Sequence, residues 1–271
     1  MTIRVFRFFL LSIYFIALLA DCYLLYHGKY EKRFLCRPLL MPCLMIYLST
    51  RKSIKKKAEV PPRIEITLLW VALILSWLSD ILATRSVYWS LISCLSLYLL
   101  IYPVYTVIFI ALAKRLLPKE SPFKPNLLSI LVFIFTIVVG VSYLNLYLHL
   151  GFKLSYIPHY FNVLLLALLL SAVSFLTTLP KIYPAIYQLF GGVVLILIAN
   201  IVYAFADFAD AAEINTKLYV LVSLGYGLSQ FLIVGGLINF FKTNQLEKEE
   251  FFSKRNKELR EQMEMYHKKQ A

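Results

Sequence analysis

An all-α, polytopic membrane helix bundle of about eight transmembrane helices is the fold class that this sequence predicts, and three observations carry it. Of 271 residues 60% are hydrophobic and 15% aromatic, with a mean hydropathy of +0.72, well outside the range of an ordinary soluble domain. Apolar runs long enough to cross a hydrocarbon core about 30 Å thick recur along the chain, separated by polar or Pro/Gly punctuation. The net charge of +13 comes from Lys and Arg concentrated in short loops and the C-terminal tail, where charges set topology and meet lipid headgroups. That placement argues against a nucleic-acid partner.

The first run, residues 5–26, follows Arg4 and Arg7 and continues past Asp21 to Tyr26 without a small-residue cleavage site, so it reads as an uncleaved span rather than a signal peptide. Further spans are expected at about 34–50, 64–83, 87–113, 126–148, 157–179, 183–205 and 216–241. Residues 1–241 thus form the bundle and 242–271 a charged cytoplasmic tail. In the tail Glu250 with Lys254 and Glu264 with Lys268 have the spacing of a solvated or membrane-surface helix, the sharper alternative being a coiled linker to a signalling partner. Both ends are placed in the cytoplasm because Arg4, Arg7, loop 51–63, loop 114–125, Lys181 and the tail then all lie inside, as expected for a multi-pass protein of the inner or plasma membrane. Loop 51–63, with six basic residues, is expected to attract anionic lipid.

The third span carries Asp80 within its apolar run, and an acid at membrane depth costs about 3 kcal/mol or more, which marks it as a functional-site residue facing the bundle interior. Ser76, Asp80 and Thr84 share one helical face, with Ser79 beside them. At about 1.5 Å per residue Asp80 lies roughly 24 Å from the inner end of its span. Asn200, Asp21 and Arg37 fall at a similar depth. Asp21 and Arg37 read equally as a mutual ion pair or as part of a site. Asn200, Tyr203 and Asp207 share a face of the seventh span, before Asp210 and Glu213 in an outer loop. Asn200 itself reads equally as an interhelical hydrogen bond or as a site residue. The eighth span carries Tyr226, Ser229 and a deep Gln230, while Gly225, Gly227, Gly235 and Gly236 permit close helix approach. In the fourth, Tyr102, Pro103 and Tyr105 predict a kink lined by phenols.

No nucleophile elbow, zinc-protease motif or phosphate-binding loop is present. The four histidines, His27, His149, His159 and His267, lack ligand spacing, and Cys22, Cys36, Cys43 and Cys94 lie in apolar segments as small core residues, so neither a metal nor a cofactor is expected.

Several of these pieces together resemble a known family. Arg37-Pro38-Leu39 with Pro42 is similar to a K-P-L-x-x-P entry to the second span, Ser79-Asp80 to a G-D at the end of the third, and Tyr105 to the Tyr of an H-x-x-Y pattern in the fourth. Gly191 to Asn200 is similar to a seventh-span motif ending in S-D or S-N, and Tyr226 to Gly235 (YGLSQFLIVG) to Y-x-x-A-Q-F-L-I-V-G in the eighth. The order and spacing resemble the YhhN-like lysoplasmalogenase family of eight-span membrane proteins across most of residues 10–241. Arg37 stands in place of Lys, Ser79 in place of Gly, Tyr102 in place of His, and Ala199-Asn200 in place of the more acidic S-D.

The resemblance implies hydrolysis of the vinyl ether of a lysoplasmalogen to a fatty aldehyde and a glycerophospho-alcohol. That chemistry needs a proton donor, stabilisation of an oxocarbenium ion and a placed water. Asp80 is expected to be the acid, with Asn200 or Tyr203 holding the water. Arg37 and Arg85 are expected to bind the phosphate of the lysophospholipid, and Tyr105 and Gln230 to line a deeper cleft for its chain. The missing His and second acid favour a different reading, a non-catalytic membrane sensor or lipid-binding module that signals through the tail.

The loop charges lead to a direct test of topology. A reporter fused after Lys242 should be cytoplasmic and one inserted near Asn215 external, and the eight-span arrangement falls if both report the same side.

Overall fold

In the computed structural model the described residues are 3–50, 64–84, 87–116, 130, 131, 134, 138, 141, 157–177, 184–208 and 217–243. They are helical, with no strand among them. The expected fifth span (126–148), loops 51–63 and 114–125, the tail beyond Thr243, and Arg85 lie largely or wholly outside the described residues.

The helices follow the apolar runs closely. They are α1 (Ile3–Tyr26), α2 (Leu40–Ser49), α3 (Ile64–Leu82), α4 (Val87–Leu116), α5 (Ile157–Thr177), α6 (Pro184–Phe208) and α7 (Lys217–Thr243). Among the described residues four stretches are long and apolar enough to cross a membrane: Ile3–Tyr26, Ile64–Leu82, Pro184–Tyr203 and Lys217–Thr243. Leu99–Lys114 and Leu165–Thr177 are shorter apolar helices. Their outward faces present large apolar side chains, Phe8, Ile16 and Leu19 on α1 and Ile74 and Leu78 on α3, as expected where the surrounding solvent is lipid.

The second span differs from expectation. Residues 34–50 do not form one helix. Gly28, at φ 65°, ends α1 in a Schellman motif, with Lys29 N–H on Leu24 O at 2.8 Å and Gly28 N–H on Leu25 O at 3.0 Å. The chain then turns back through two 3-10 segments, Tyr30–Leu35 and Arg37–Leu39, before α2 begins. Pro38 restricts the residue before it and removes a donor, while Pro42 falls in the first turn of α2, where a missing N–H is tolerated. The resulting helix has ten residues, about 15 Å, half the hydrocarbon thickness. Most side chains of these segments are exposed, only Arg33 and Arg37 are buried, and Trp77 Nε1 on α3 donates to Pro38 O at 2.9 Å.

α4 runs through Pro103 without interruption, and Tyr102 and Tyr105 both point into the core. α1 and α2 are antiparallel: Arg7, near the start of α1, donates to Thr50 Oγ1 (3.1 Å) and to its carbonyl, and Arg37 meets Asp21 at the opposite end. From α2 each helix packs on the next in order to α6. α6 and α7 are antiparallel, with Gly192 against Ser229 and Ile233, Ala199 against Gly225, and Gly236 against Ala185 and Leu189. α7 returns to α1, where Tyr14 donates to Gly227 O at 2.6 Å and Leu18 fills the space beside that glycine. The described helices therefore form a closed circuit around a shared interior.

Close helix approach was expected at Gly225, Gly227, Gly235 and Gly236, and the structure places three of them at contacts and Gly235 in open space. A Cβ at Gly192 would meet Ile233 Cγ1 at 2.7 Å and Ser229 O at 3.0 Å, so the backbones themselves set the distance. Gly192→Leu should cost about 1–3 kcal/mol by overpacking, read as a lower melting temperature in detergent, whereas Gly235→Ala should leave it unchanged. Equal effects of the two would contradict this packing.

Candidate functional site

Three acids and bases foreseen at one depth do meet, and a fourth joins them. Asp21 on the last turns of α1 is fully buried, and its carboxylate accepts four hydrogen bonds: Arg33 Nε on Oδ1 (2.8 Å), Arg33 Nη2 on Oδ2 (3.0 Å), Arg37 Nη1 on Oδ2 (3.3 Å) and Ser223 Oγ on Oδ2 (2.6 Å). Arg37 also donates from Nη1 to Ser223 Oγ (3.1 Å) and from Nε to Asp80 Oδ1 (3.0 Å). Its guanidinium lies over the Tyr226 ring, 5.7 Å from the centroid. Of the two sequence alternatives for Asp21 and Arg37 the mutual ion pair is present, and Arg37 also reaches Asp80.

Asp80 differs from Asp21. It is 0% exposed, yet among the described residues no group bonds its Oδ2. Ser76, one turn earlier on α3, is equally buried, and its hydroxyl has no partner among the described residues. The polar stripe expected on the third span therefore faces inward at Ser76, Ser79 and Asp80. Thr84 lies past the helix end, its hydroxyl on Ile81 O at 2.7 Å.

A deeper level holds Tyr105 and Gln230, brought together as expected: the phenol donates to Gln230 Oε1 at 2.6 Å, while Nε2 of this fully buried amide meets no acceptor among the described residues. Tyr14, whose hydroxyl rests on Gly227 O one turn before Gln230, is within electrostatic reach of Asp80, Arg37 and Tyr105, which ties the two levels into one interior.

Asn200 and Tyr203 take other places. Asn200 Nδ2 donates to Tyr102 Oη at 2.9 Å and to Ile196 O at 2.8 Å, and the half-buried Tyr203 ring faces Tyr219 with centroids 6.0 Å apart. Neither bonds Asp80. Two of the four positions at which the chain departs from the pattern it resembles, Tyr102 and Asn200, are hydrogen-bonded to each other across α4 and α6. Arg37 is enclosed by two carboxylates, Ser223 and an aromatic face, a setting that uses the donors expected for a phosphate. Arg85, its expected companion, lies outside the described residues.

Arg33, Ser223 and Tyr14 were missed. Arg33 reads as an outer-loop residue by hydropathy, and the 3-10 return is what buries it. One signal was available: two intramembrane acids, Asp21 and Asp80, call for two cations, and Arg33 stands four residues before Arg37. Ser223 could have been placed by its spacing to Tyr226 and Gln230 on one face of α7.

Searches among curated proteins and among solved structures found no match. The family model described as the YhhN family matches residues 32–237, a stretch that runs from the 3-10 segments carrying the buried Arg33 and Arg37 to the last turns of α7 and contains Asp80, Tyr105 and Gln230. The chain belongs to the YhhN family.

Proposed function

We propose that this protein is a lysoplasmalogenase-like hydrolase that cleaves the vinyl ether of a lysoplasmalogen, with Asp80 as the acid. The supporting observation is the asymmetry of that carboxyl: Oδ1 is held by Arg37 and Oδ2, fully buried, has no partner among the described residues. In the first step the proton on Oδ2 passes to the alkenyl carbon remote from the ether oxygen. The alkene π pair forms the new C–H bond, the O–H pair stays on Asp80, and the adjacent carbon becomes an oxocarbenium ion. Arg37 stabilises the carboxylate as its charge develops, in a site without bulk water to screen it.

Water then adds to the cation and gives a proton back to Asp80, forming a hemiacetal that collapses to the fatty aldehyde and the glycerophospho-alcohol. One water is consumed and the acid is regenerated. Ser76 and the Gln230 amide, both buried with a polar atom that meets no partner among the described residues, are the groups we assign to hold that water, a role that Asn200 is less suited to because its amide is engaged by Tyr102. Tyr105 orients Gln230. The substrate phosphate is assigned to Arg85 and to the exposed Lys29 and Lys32 near the buried Arg33, since Arg37 is otherwise committed.

The Tyr102–Asn200 contact favours a second reading. Where the family pattern has a His and an acidic motif, this chain has a neutral pair, as expected of a lipid-binding or sensor protein acting through its tail. Aldehyde release from lysoplasmalogen by the purified protein separates the two, with the saturated alkyl ether as a control that protonation cannot open by this route. Asp80→Asn should lower turnover by about 10²–10⁴-fold and leave the protein folded, while Asn200→Ala costs less. Parental rates from a folded Asp80→Asn protein would sink the assignment of the acid. An inactive parental protein would put the sensor reading first, and its signal should vanish on deletion of the tail.

A further inference from the structure

The ion cluster contains more than an acid and its counter-ion. Arg37 reaches both carboxylates, so something must decide how it is shared. Asp21 is saturated by Arg33, which takes both its oxygens, and by Ser223, whose hydroxyl accepts from Arg37 and donates to Asp21. That leaves the Nε edge of Arg37 for Asp80 Oδ1 at 3.0 Å, against 3.3 Å from Nη1 to Asp21. Every one of these side chains is less than a tenth exposed, so water does not compete for the contacts.

We propose that Arg33 and Ser223 are positioning residues that, by satisfying Asp21, keep Arg37 on Oδ1 of Asp80 and so make Oδ2 the one oxygen through which this acid reacts. The inference rests on the hydrolase reading for its kinetic consequence, but the inequivalence of the two carboxyls does not depend on it.

The charges show what Arg33 contributes. With Asp80 protonated, Arg33, Arg37 and Asp21 leave the cluster at +1, and proton transfer takes it to zero. Without Arg33 the same step runs from zero to −1, and Asp21 draws on Arg37 alone. If Asp21 is neutralised as well, the step again runs from +1 to zero and Arg37 is released to Asp80. Removing a second residue is therefore expected to repair the first loss, which a merely structural role for Arg33 does not do.

The test is a kinetic cycle on the full-length protein in detergent. Arg33→Gln should lower kcat about tenfold or more with little change in KM, and Asp21→Asn with Arg33→Gln should recover most of that loss. A double variant no faster than Arg33→Gln, or a loss confined to KM, overturns the proposal. Should the charge variants fail to fold, Ser223→Ala carries the same test: it should lower kcat with KM unchanged, while Ser223→Thr, which keeps the hydroxyl, retains parental kcat. Ser223→Ala at parental kcat counts against it. An arm independent of turnover uses dicyclohexylcarbodiimide, an apolar reagent for protonated carboxyls, with the adduct mapped by mass spectrometry. Asp80 should be labelled and Asp21 spared; labelling of both, of Asp21 alone or of neither overturns the inference. If the parental protein releases no aldehyde, the hydrolase reading fails, and the labelling still decides how the two acids differ.

Discussion

Four buried ionisable side chains, Asp21, Arg33, Arg37 and Asp80, join the described helices in one cluster. They come from α1, the 3-10 turn and α3, and Ser223 brings in α7. Stripping one partner from such a set typically costs 3–5 kcal/mol, because the remaining charge is left buried and uncompensated. The short α2 and the irregular turn before it follow from that constraint. A straight second span would have carried Arg33 out to the membrane surface; folding back at Gly28 and entering at Pro38 puts two guanidinium groups where two carboxylates wait.

The rest of the interior is arranged by how closely backbones approach. Gly192 and Gly236 let α6 and α7 pack with carbonyl oxygens near the opposing backbone, and this brings Tyr226 under Arg37 and Gln230 to Tyr105. Association in lipid draws on such packing and on interhelical hydrogen bonds, since apolar side chains gain little by leaving apolar lipid. Tyr14, Tyr105 and Tyr102 each span two helices through a phenol, which makes the polar interior a set of cross-links.

The function we propose lies where this order is incomplete. Asp21 accepts four bonds; Asp80 has one partnered oxygen and one without a partner among the described residues. Ser76 and the Gln230 amide share that incompleteness. Polar groups buried at this level are costly to leave without a partner, and in the proposed function these are the groups that meet the substrate and the water.

Sequence alone determined the helical class, the positions of α1, α3, α6 and α7 and the common depth of Asp21, Arg37 and Asp80. The physical reason is that lipid demands long apolar runs with satisfied backbones, and a charge within such a run must turn inward. Family membership was equally legible, in YGLSQFLIVG above all. Only the tertiary structure decided the rest. Hydropathy over residues 34–50 does not show where the 3-10 segments end and the ten-residue helix begins, since apolar residues continue across that boundary. It could not bring Arg33 inside, give Tyr102 to Asn200, or separate Asp80 from Asp21. Those outcomes depend on which side chain reaches a partner across helices first, and that is a matter of distance between segments far apart in the chain.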